Sequence, residues 1–290
     1  MMDRILVLDV GGTFIKYGLA DVSGRLLPGT VRQVPSHSED SAEKFLDALR
    51  GILKEASAES APKRAAVSIC GPFDFDSGVS LMTHKFRALY GVSLRPPFEE
   101  AGVPVSFLHD ATAFILGEYF DGTLRGADNA CCVMLGTGLG FGWIKGGRVC
   151  VDATRTPAFS LWRTPYLGGI AEDYVSTRAI QRVYGQALPV KQIADAARTG
   201  DEKAKDAFRT AGEHLSRIIA LIAPALGCEK LALGGQIARS AGLFGLEISI
   251  PWTVTEHFED GALRGCCAYA LSGKDCEKTT DAPAIALPNE

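Results

Sequence analysis

The run Asp9-Val10-Gly11-Gly12-Thr13 constrains the fold of this chain more than any other stretch. It lies between two apolar segments that favour strands, residues 5–8 and 14–20. Only a Gly-Gly-Thr tip separates these segments, which predicts a β-hairpin whose turn needs a positive φ, a conformation that glycine adopts at little steric cost. The alternative is an ordinary hairpin with an aspartate before its turn.

A turn of this kind is suited to binding phosphate. It points successive backbone N–H groups at one spot, and such a nest binds phosphate oxygens. Asp9, at the end of the buried strand, is a candidate ligand of Mg²⁺, directly or through water. We therefore expect Gly11, Gly12 and Thr13, together with Lys16 on the following strand, to bind a nucleotide.

A second turn of the same type occurs in the other half of the chain. Residues 131–135 favour a strand, residues 136–140 read Gly-Thr-Gly-Leu-Gly, and residues 141–145 favour another strand. We expect the backbone of Gly136, Thr137 and Gly138 to bind phosphate as well.

Two such turns resemble the ATP-binding hairpins of actin-like sugar kinases. The runs Asp-Val-Gly-Gly-Thr and Gly-Thr-Gly-Leu-Gly are similar to those of the ROK family of repressors, open reading frames and kinases, and the resemblance extends from about Ile5 to Leu271. It implies an α/β fold of the two-lobed actin-like (ribonuclease H-like) type with a mixed sheet in each lobe. It also implies ATP and Mg²⁺ as cofactors and a sugar as substrate.

The expected domains are an N-terminal α/β domain over residues 1–109 and a C-terminal α/β domain over residues 110–260. A helix over residues 261–272 should pack back on the first domain, and residues 273–290 read as a loosely ordered tail. No Gly-x-x-x-x-Gly-Lys-Ser/Thr and no Gly-x-Gly-x-x-Gly sequence occurs, which argues against P-loop and Rossmann nucleotide sites.

Asp110 is the candidate catalytic residue. A predicted strand over residues 103–108 delivers His109-Asp110 to the start of a predicted helix. Capping alone would account for the aspartate and is worth about 1 kcal/mol. Alternatively, a carboxylate held at a helix N-terminus stays ionised and can act as the general base of phosphoryl transfer. In the family this pair reads Asn-Asp, with the Asp catalytic and the Asn bound to sugar, so the resemblance makes His109 a sugar ligand here.

The resemblance places further sugar-binding residues in the N-terminal half. Gly71-Pro72 corresponds to a segment that borders the sugar through its backbone, although a simple turn explains it equally well. Residues 83–92 match the loop where the family often has a sugar-binding Asn, so His84 or Lys85 could face the sugar. A solvated basic loop is the alternative.

The sequence departs from the family after residue 147. Zinc-containing members have Glu-x-x-His and then a Cys-rich cluster, whereas residues 157–169 contain neither Cys nor His. We therefore expect no zinc site. Aligned on Pro165-Tyr166, Ser160 stands in the place of the Glu and Arg163 in the place of the His, so Arg163 is a candidate sugar ligand.

Two later segments keep the family pattern. Glu172-Asp173-Tyr174-Val175-Ser176 matches Glu-x-Tyr-x-Ser, which makes Glu172 a candidate ligand of sugar hydroxyls; a solvated Glu in the first turn of a helix is the alternative. Gly234-Gly235, at the end of a predicted strand, resembles the loop that passes close to adenosine, and would otherwise be only a strand-to-helix turn.

Composition restricts the partners. The 290 residues carry a formal net charge of −4, which argues against nucleic acid as the main partner. No apolar run is long enough to cross a bilayer, and the chain reads as cytoplasmic with no signal peptide. We expect a homodimeric, ATP-dependent kinase of a hexose or N-acetylated amino sugar. The alternative is a non-catalytic sugar-binding or sugar-sensing regulatory protein of the same fold.

Overall fold

The computed structural model describes residues 3–83, 85–272, 276–279, 285 and 287–288. The chain divides into two compact units. The first contains Met1–Asp121, Val151–Thr156 and Glu259–Lys278, and the second contains Gly122–Cys150, Pro157–Phe258 and Thr279–Glu290. None of the described helices is long and apolar enough to cross a membrane.

The first unit is built on a five-stranded mixed sheet. Its elements up to residue 121 are β1 (Arg4–Val10), β2 (Phe14–Ala20), β3 (Arg32–Pro35), α1 (Ala42–Ser60), β4 (Pro62–Ile69), β5 (Phe73–Asp74), β6 (Val79–Ser80), α2 (Pro96–Glu100), β7 (Val105–His109) and α3 (Asp110–Asp121). The strand order is β3-β2-β1-β4-β7. Strands β1, β4 and β7 are parallel, whereas β2 is antiparallel to both of its neighbours.

The central position of β1 explains its sequence. A strand with neighbours on both sides and helices over the sheet is buried on both faces, so it reads as a continuous apolar run. Leu6, Val7 and Leu8 are fully buried, and the polar Asp9 comes only near the carboxyl end. In the ladders Asp9 is opposite Ser68 of β4, and Ile69 of β4 is opposite His109 of β7, so polar groups gather at one edge of the sheet.

The second unit also has five strands in a mixed sheet. Its elements are β8 (Ala130–Leu135), β9 (Leu139–Lys145), β10 (Arg148–Val151), β11 (Pro165–Tyr166), β12 (Gly169–Ile170), α4 (Thr177–Tyr184), α5 (Val190–Arg198), α6 (Glu202–Leu226), β13 (Lys230–Gly234) and β14 (Trp252–Val254). In the mixed sheet the strands of this unit follow the order β14-β13-β8-β9-β10, with β13 parallel to β8 and to β14, whereas β11 and β12 pair only with each other. The predicted mixed sheet in each half of the chain is confirmed.

The chain then contributes α7 (Gly261–Ser272) and the short strand β15 (Cys276–Lys278) to the first unit. Helices α3 and α7 pack backbone against backbone. A Cβ added to Gly265 would lie 1.6 Å from the carbonyl oxygen of Ala113, and one added to Gly117 would lie 2.2 Å from that of Gly261. This close packing places α3 in the first unit, which runs to Asp121, whereas the sequence analysis set the boundary at residue 109.

Part of the expected tail has a defined place. Leu287 is only 5% exposed within the core of the second unit, and the carbonyl of Pro288 accepts a hydrogen bond of 2.7 Å from Leu167 N–H. The other positions of the tail, apart from residues 276–279 and 285, lie outside the described residues.

Candidate active site

The first turn, Gly11-Gly12-Thr13, joins β1 to β2 with free backbone donors. Among the described residues its internal backbone hydrogen bond runs from Gly11 N–H to Phe14 O (3.0 Å), and the N–H groups of Gly12 and Thr13 have no backbone partner. The prediction of a positive φ was wrong, because neither glycine lies in the left-handed region. A Cβ added to Gly12 would meet nothing within 4 Å, whereas one added to Gly11 would lie 3.1 Å from Phe14 O.

Two serines hold the back of this turn. The hydroxyls of Ser36 and Ser38 both donate to the carbonyl of Gly12, the former at 2.7 Å, and Ser36 N–H donates to Thr13 O at 2.9 Å. A carbonyl and the N–H of the next residue point in opposite directions across one planar peptide, so drawing Gly12 O to one side directs the Thr13 N–H to the other. This support was not predictable from the sequence, because nothing local marks a serine as the partner of a residue 24 positions away.

Asp9 lies at the carboxyl end of β1 and is largely buried. Ser68 donates a hydrogen bond of 3.0 Å to its Oδ1. The pKa of Asp9 is raised to about 6. Burial is the largest cause and the negative charge of Asp110 adds to it, whereas the bond from Ser68 and the charge of Lys16 act in the opposite direction. A carboxylate held in this way is stabilised by an added cation.

Lys16 is paired within its own unit. It is opposite Asp9 in the β1–β2 ladder, and its Nζ donates to the backbone carbonyl of Glu259 and lies 3.2 Å from Oε2 of the same residue. Its side chain would have to leave Glu259 to bind a nucleotide.

Asp110 is the first residue of α3. Its side chain is 50% exposed, and its Oδ1 lies 2.9 Å from Nδ1 of His109 and accepts a 2.7 Å hydrogen bond from Ala111 N–H. Burial raises the pKa of Asp110, but the charge of His109 and the hydrogen bonds from His109 and Ala111 outweigh it and hold the pKa below the usual value. Among the described residues it makes no bond to the N–H of Thr112 or Ala113, the groups that a helix cap would bind.

The predicted site residue Gly71 lies next to His109, and so does Phe75. The imidazole lies over Gly71, where an added Cβ would be 3.5 Å from Cδ2, and its centroid is 6.0 Å from that of Phe75. The Gly71–Pro72 peptide bond is cis. His84 lies outside the described residues, whereas its neighbour Lys85 is close enough for its charge to lower the pKa of Asp110.

The second turn, Gly136-Thr137-Gly138, joins β8 to β9 in the same manner as the first. Gly136 N–H donates to Gly138 O at 3.1 Å, and among the described residues the N–H groups of Thr137 and Gly138 have no backbone partner. Both N–H and Oγ1 of Thr177, at the start of α4, donate to Gly136 O at 3.0 and 3.1 Å. The two turns therefore share one design: the first residue bonds within the hairpin, and the next two offer donors.

Glu172 lies beneath the second turn. Its Oε2 accepts a 3.0 Å hydrogen bond from Leu139 N–H, and its Oε1 accepts one of 2.8 Å from Arg178. A Cβ on Gly138 would lie 2.7 Å from Oε2, so only glycine leaves room for this carboxylate. The solvated alternative does not hold, because the side chain is only 17% exposed.

Gly234 ends β13, and Gly235 follows it beside the residue that precedes the second turn. Gly235 has a φ of +78°, and an added Cβ would lie 2.3 Å from the carbonyl oxygen of Leu135. The glycine thus lets β13 approach the residue that precedes Gly136.

The segment that replaces the zinc motif has two parts. Ser160 is partly exposed and Arg163 is exposed at the end of a 3₁₀ helix, Leu161–Arg163. Beyond it, Tyr166 is fully buried, donates or accepts a 3.0 Å hydrogen bond with Nδ1 of His214 and meets Tyr174 edge-on at 5.1 Å. Within the part of the chain that the structure describes, no three His, Cys, Asp or Glu side chains gather as metal ligands.

Known proteins resemble the chain over most of its length. The sequence profile of the ROK family matches residues 5–153 and 167–269. A glucokinase of Thermotoga maritima is 27% identical over 83% of this chain and 85% of its own length. An N-acetyl-D-glucosamine kinase of Vibrio atlanticus is 27% identical over 80% and 83%. The DNA-binding transcriptional repressor Mlc of Escherichia coli is 25% identical over 61% and 50%.

Solved structures share the fold. A ROK hexokinase from Thermus thermophilus superposes with a TM-score of 0.75 at 25% identity, covering 94% of this chain and 99% of the other. A ROK glucokinase from Streptomyces griseus, solved with glucose and AMPPNP, gives 0.72 at 23% identity over 91% and 98%. The predicted actin-like fold is confirmed.

Proposed function

This chain belongs to the ROK family, and on that premise we propose that it is a kinase that transfers the γ-phosphoryl group of ATP to a hydroxyl of a hexose or an N-acetylated amino sugar. The observation that carries the proposal is the pair of turns with two outward backbone donors each, Gly12-Thr13 and Thr137-Gly138. Successive N–H groups bind phosphate oxygens without needing a charged side chain. A protein that only bound a sugar would have no use for either.

Asp110 is the proposed general base. Its pKa below the usual value keeps it ionised at neutral pH, and its half-exposed side chain can reach an incoming hydroxyl. His109 and Ala111 N–H fix one oxygen, which leaves the other oxygen free to accept the hydroxyl proton. Phosphoryl transfer depends mainly on positioning and charge stabilisation, so a rigidly held carboxylate suffices.

Asp9 fits the expected Mg²⁺ site. Its buried carboxylate has a pKa raised to about 6, so a cation would relieve the cost of its charge. Carboxylate and water oxygens are the ligands that Mg²⁺ prefers, and the ion would neutralise phosphate charge. The other predicted ligands keep their expected roles as part of this proposal. The nucleotide ligands are Lys16 and Gly234-Gly235, and the sugar ligands are Gly71-Pro72, His84, Arg163 and Glu172.

The alternative is a sugar-binding or sugar-sensing protein that does not catalyse. Its support is the similarity to the Mlc repressor and the replacement of Glu-x-x-His by Ser160 and Arg163. The kinase is favoured over the non-catalytic protein by the intact Asp9, by both turns and by Asp110.

A coupled assay of ADP release separates the two. Glucose, N-acetylglucosamine, N-acetylmannosamine and a sugar acid are each supplied with Mg²⁺ and ATP, and calorimetry records sugar binding in parallel. Sugar-dependent ADP release by the wild type supports the kinase. Tight binding of one of these sugars, with no ADP release from any, supports the sensor and refutes the kinase.

A further inference from the structure

The carboxylate of Glu172 joins the second turn to helix α4. One oxygen accepts from Leu139 N–H, the first donor after the turn, and the other accepts from Arg178 in the first turn of α4. On the opposite side of the turn, Thr177 donates two bonds to Gly136 O. Both ends of the turn are thus held by consecutive parts of one segment, residues 172–178.

The contact with the turn is also steric. Because a Cβ on Gly138 would lie 2.7 Å from Oε2, the carboxylate touches the backbone directly. Any rotation of the Glu172 side chain would break the bond to Leu139 and remove this support. The orientation of the carboxylate therefore determines how firmly the donors of Thr137 and Gly138 are held.

Arg178 sets that orientation. Glu172 is 17% exposed and Arg178 is 64% exposed, so the guanidinium covers the carboxylate from the solvent side. A mostly buried carboxylate that loses its charge partner is destabilised and tends to move toward water or take up a proton. One helical turn later, Arg182 donates to Asp173 O at 2.6 Å and lies over the Tyr174 ring, and so fixes the neighbouring residues in the same way.

We propose that Arg178 is a positioning residue for nucleotide binding. It holds Glu172 so that the second carboxylate oxygen fixes Leu139 and, through it, the phosphate-binding face of the second turn. This inference rests on the proposed function only in that the second turn binds the nucleotide. In this role Arg178 itself contacts neither nucleotide nor sugar.

The test compares R178M, R178K and the control R209M. Arg209 is a matched control because it lies in the same unit, is 65% exposed and pairs with a carboxylate, Asp206, three residues away that is itself half-exposed. Calorimetry with AMPPNP and Mg²⁺ gives the nucleotide Kd, and steady-state kinetics give KM for ATP and kcat. Thermal unfolding records Tm for each variant.

R178M should raise both the Kd for AMPPNP and the KM for ATP about threefold to tenfold, because a partly buried pair contributes more than an exposed one. The kcat at saturating sugar should change less than about twofold, since the base is untouched, whereas the KM for the sugar that Glu172 is proposed to bind should also rise. R178K should recover part of the affinity, because lysine restores the charge but not the planar guanidinium. R209M should leave Kd, KM, kcat and Tm at wild-type values. R178M should lower Tm only slightly, and its Kd is compared well below that Tm.

R178M with the nucleotide affinity of R209M, in a wild type that binds AMPPNP, overturns the inference and leaves the proposed kinase intact. A lower Tm for R178M alone, without a change in Kd, also overturns it, since the pair would then only stabilise the fold. A wild type that binds no AMPPNP in the presence of Mg²⁺ refutes the proposed function and this inference together.

Discussion

Nδ1 of His109, the last residue of β7, lies 2.9 Å from Oδ1 of Asp110, the first residue of α3. The imidazole and Ala111 N–H together fix the carboxylate at the start of the helix. D110N should keep the fold and the affinity for AMPPNP but lower kcat about 10²- to 10⁴-fold, because an amide cannot accept the hydroxyl proton.

The control for D110N is D76N. Asp76 is a carboxylate of the same unit whose side chain is 66% exposed, so its replacement should leave kcat unchanged. Wild-type turnover in D110N would reduce Asp110 to a structural residue of α3.

Asp9 should make the stability of the free protein depend on pH. Its pKa is about 6 in the folded protein against 3.8 ordinarily, so protonation of Asp9 favours folding. That contribution is complete below pH 3.8 and is lost as the pH rises through 6. D9N should therefore raise the free energy of unfolding by about 1 to 3 kcal/mol at pH 7.5 and by much less at pH 4.

Urea unfolding at both pH values, without nucleotide or Mg²⁺, measures this difference. The same variant should lose kinase activity, since it removes the proposed Mg²⁺ ligand. A D9N protein that is no more stable than the wild type at pH 7.5 would contradict the costly burial of this carboxylate.

Gly138 should be intolerant of a side chain. In G138V the new Cβ would displace the Glu172 carboxylate, and the branches would crowd the adjacent N–H donors. We expect AMPPNP affinity to fall at least about tenfold, the effect of losing more than 1.4 kcal/mol. The control is G242A in the same unit, where an added Cβ meets nothing within 4 Å. Equal AMPPNP affinity in the two variants, measured by calorimetry, would contradict a phosphate role for the second turn.

The sequence predicted those parts of the site whose signal is local. The two Gly-Thr turns, the strand before each of them and Asp110 at the start of α3 are all short-range patterns, and the structure contains each. The support for these turns was not predictable, because Ser36, Thr177 and Arg178 bond across long stretches of chain or through another side chain. The positive φ predicted at Gly11-Gly12 was wrong, because this turn forms with neither glycine in the left-handed region.

The packing of α3 on α7 should be sensitive to a single methyl group. A Cβ on Gly265 would lie 1.6 Å from Ala113 O, so G265A must push the helices apart. We expect a loss of about 3 kcal/mol or more in the free energy of unfolding, at the upper end for overpacking. G51A, on α1 with nothing within 4 Å, should instead gain about 0.5 to 1 kcal/mol from helix propensity; a neutral G265A in urea unfolding would contradict the close helix contact.

Arg163 should influence the choice of sugar. In the alignment on Pro165-Tyr166, Arg163 takes the place of the histidine of zinc-containing members. Arginine only donates hydrogen bonds, so a sugar that offers an acceptor, such as an N-acetyl carbonyl or a carboxylate, should be preferred over glucose. Because Arg163 is exposed, water satisfies its donors in the free protein, and the preference should be modest, about fivefold to tenfold in kcat/KM. The measurement is kcat/KM for glucose, N-acetylmannosamine, N-acetylglucosamine and a sugar acid with wild type, R163A and R163K. R163A should lose the preference, and R163K should keep part of it, since lysine retains a charged donor. A wild type that prefers glucose, or an R163A protein with an unaltered order of substrates, would show that Arg163 takes no part in selecting the sugar.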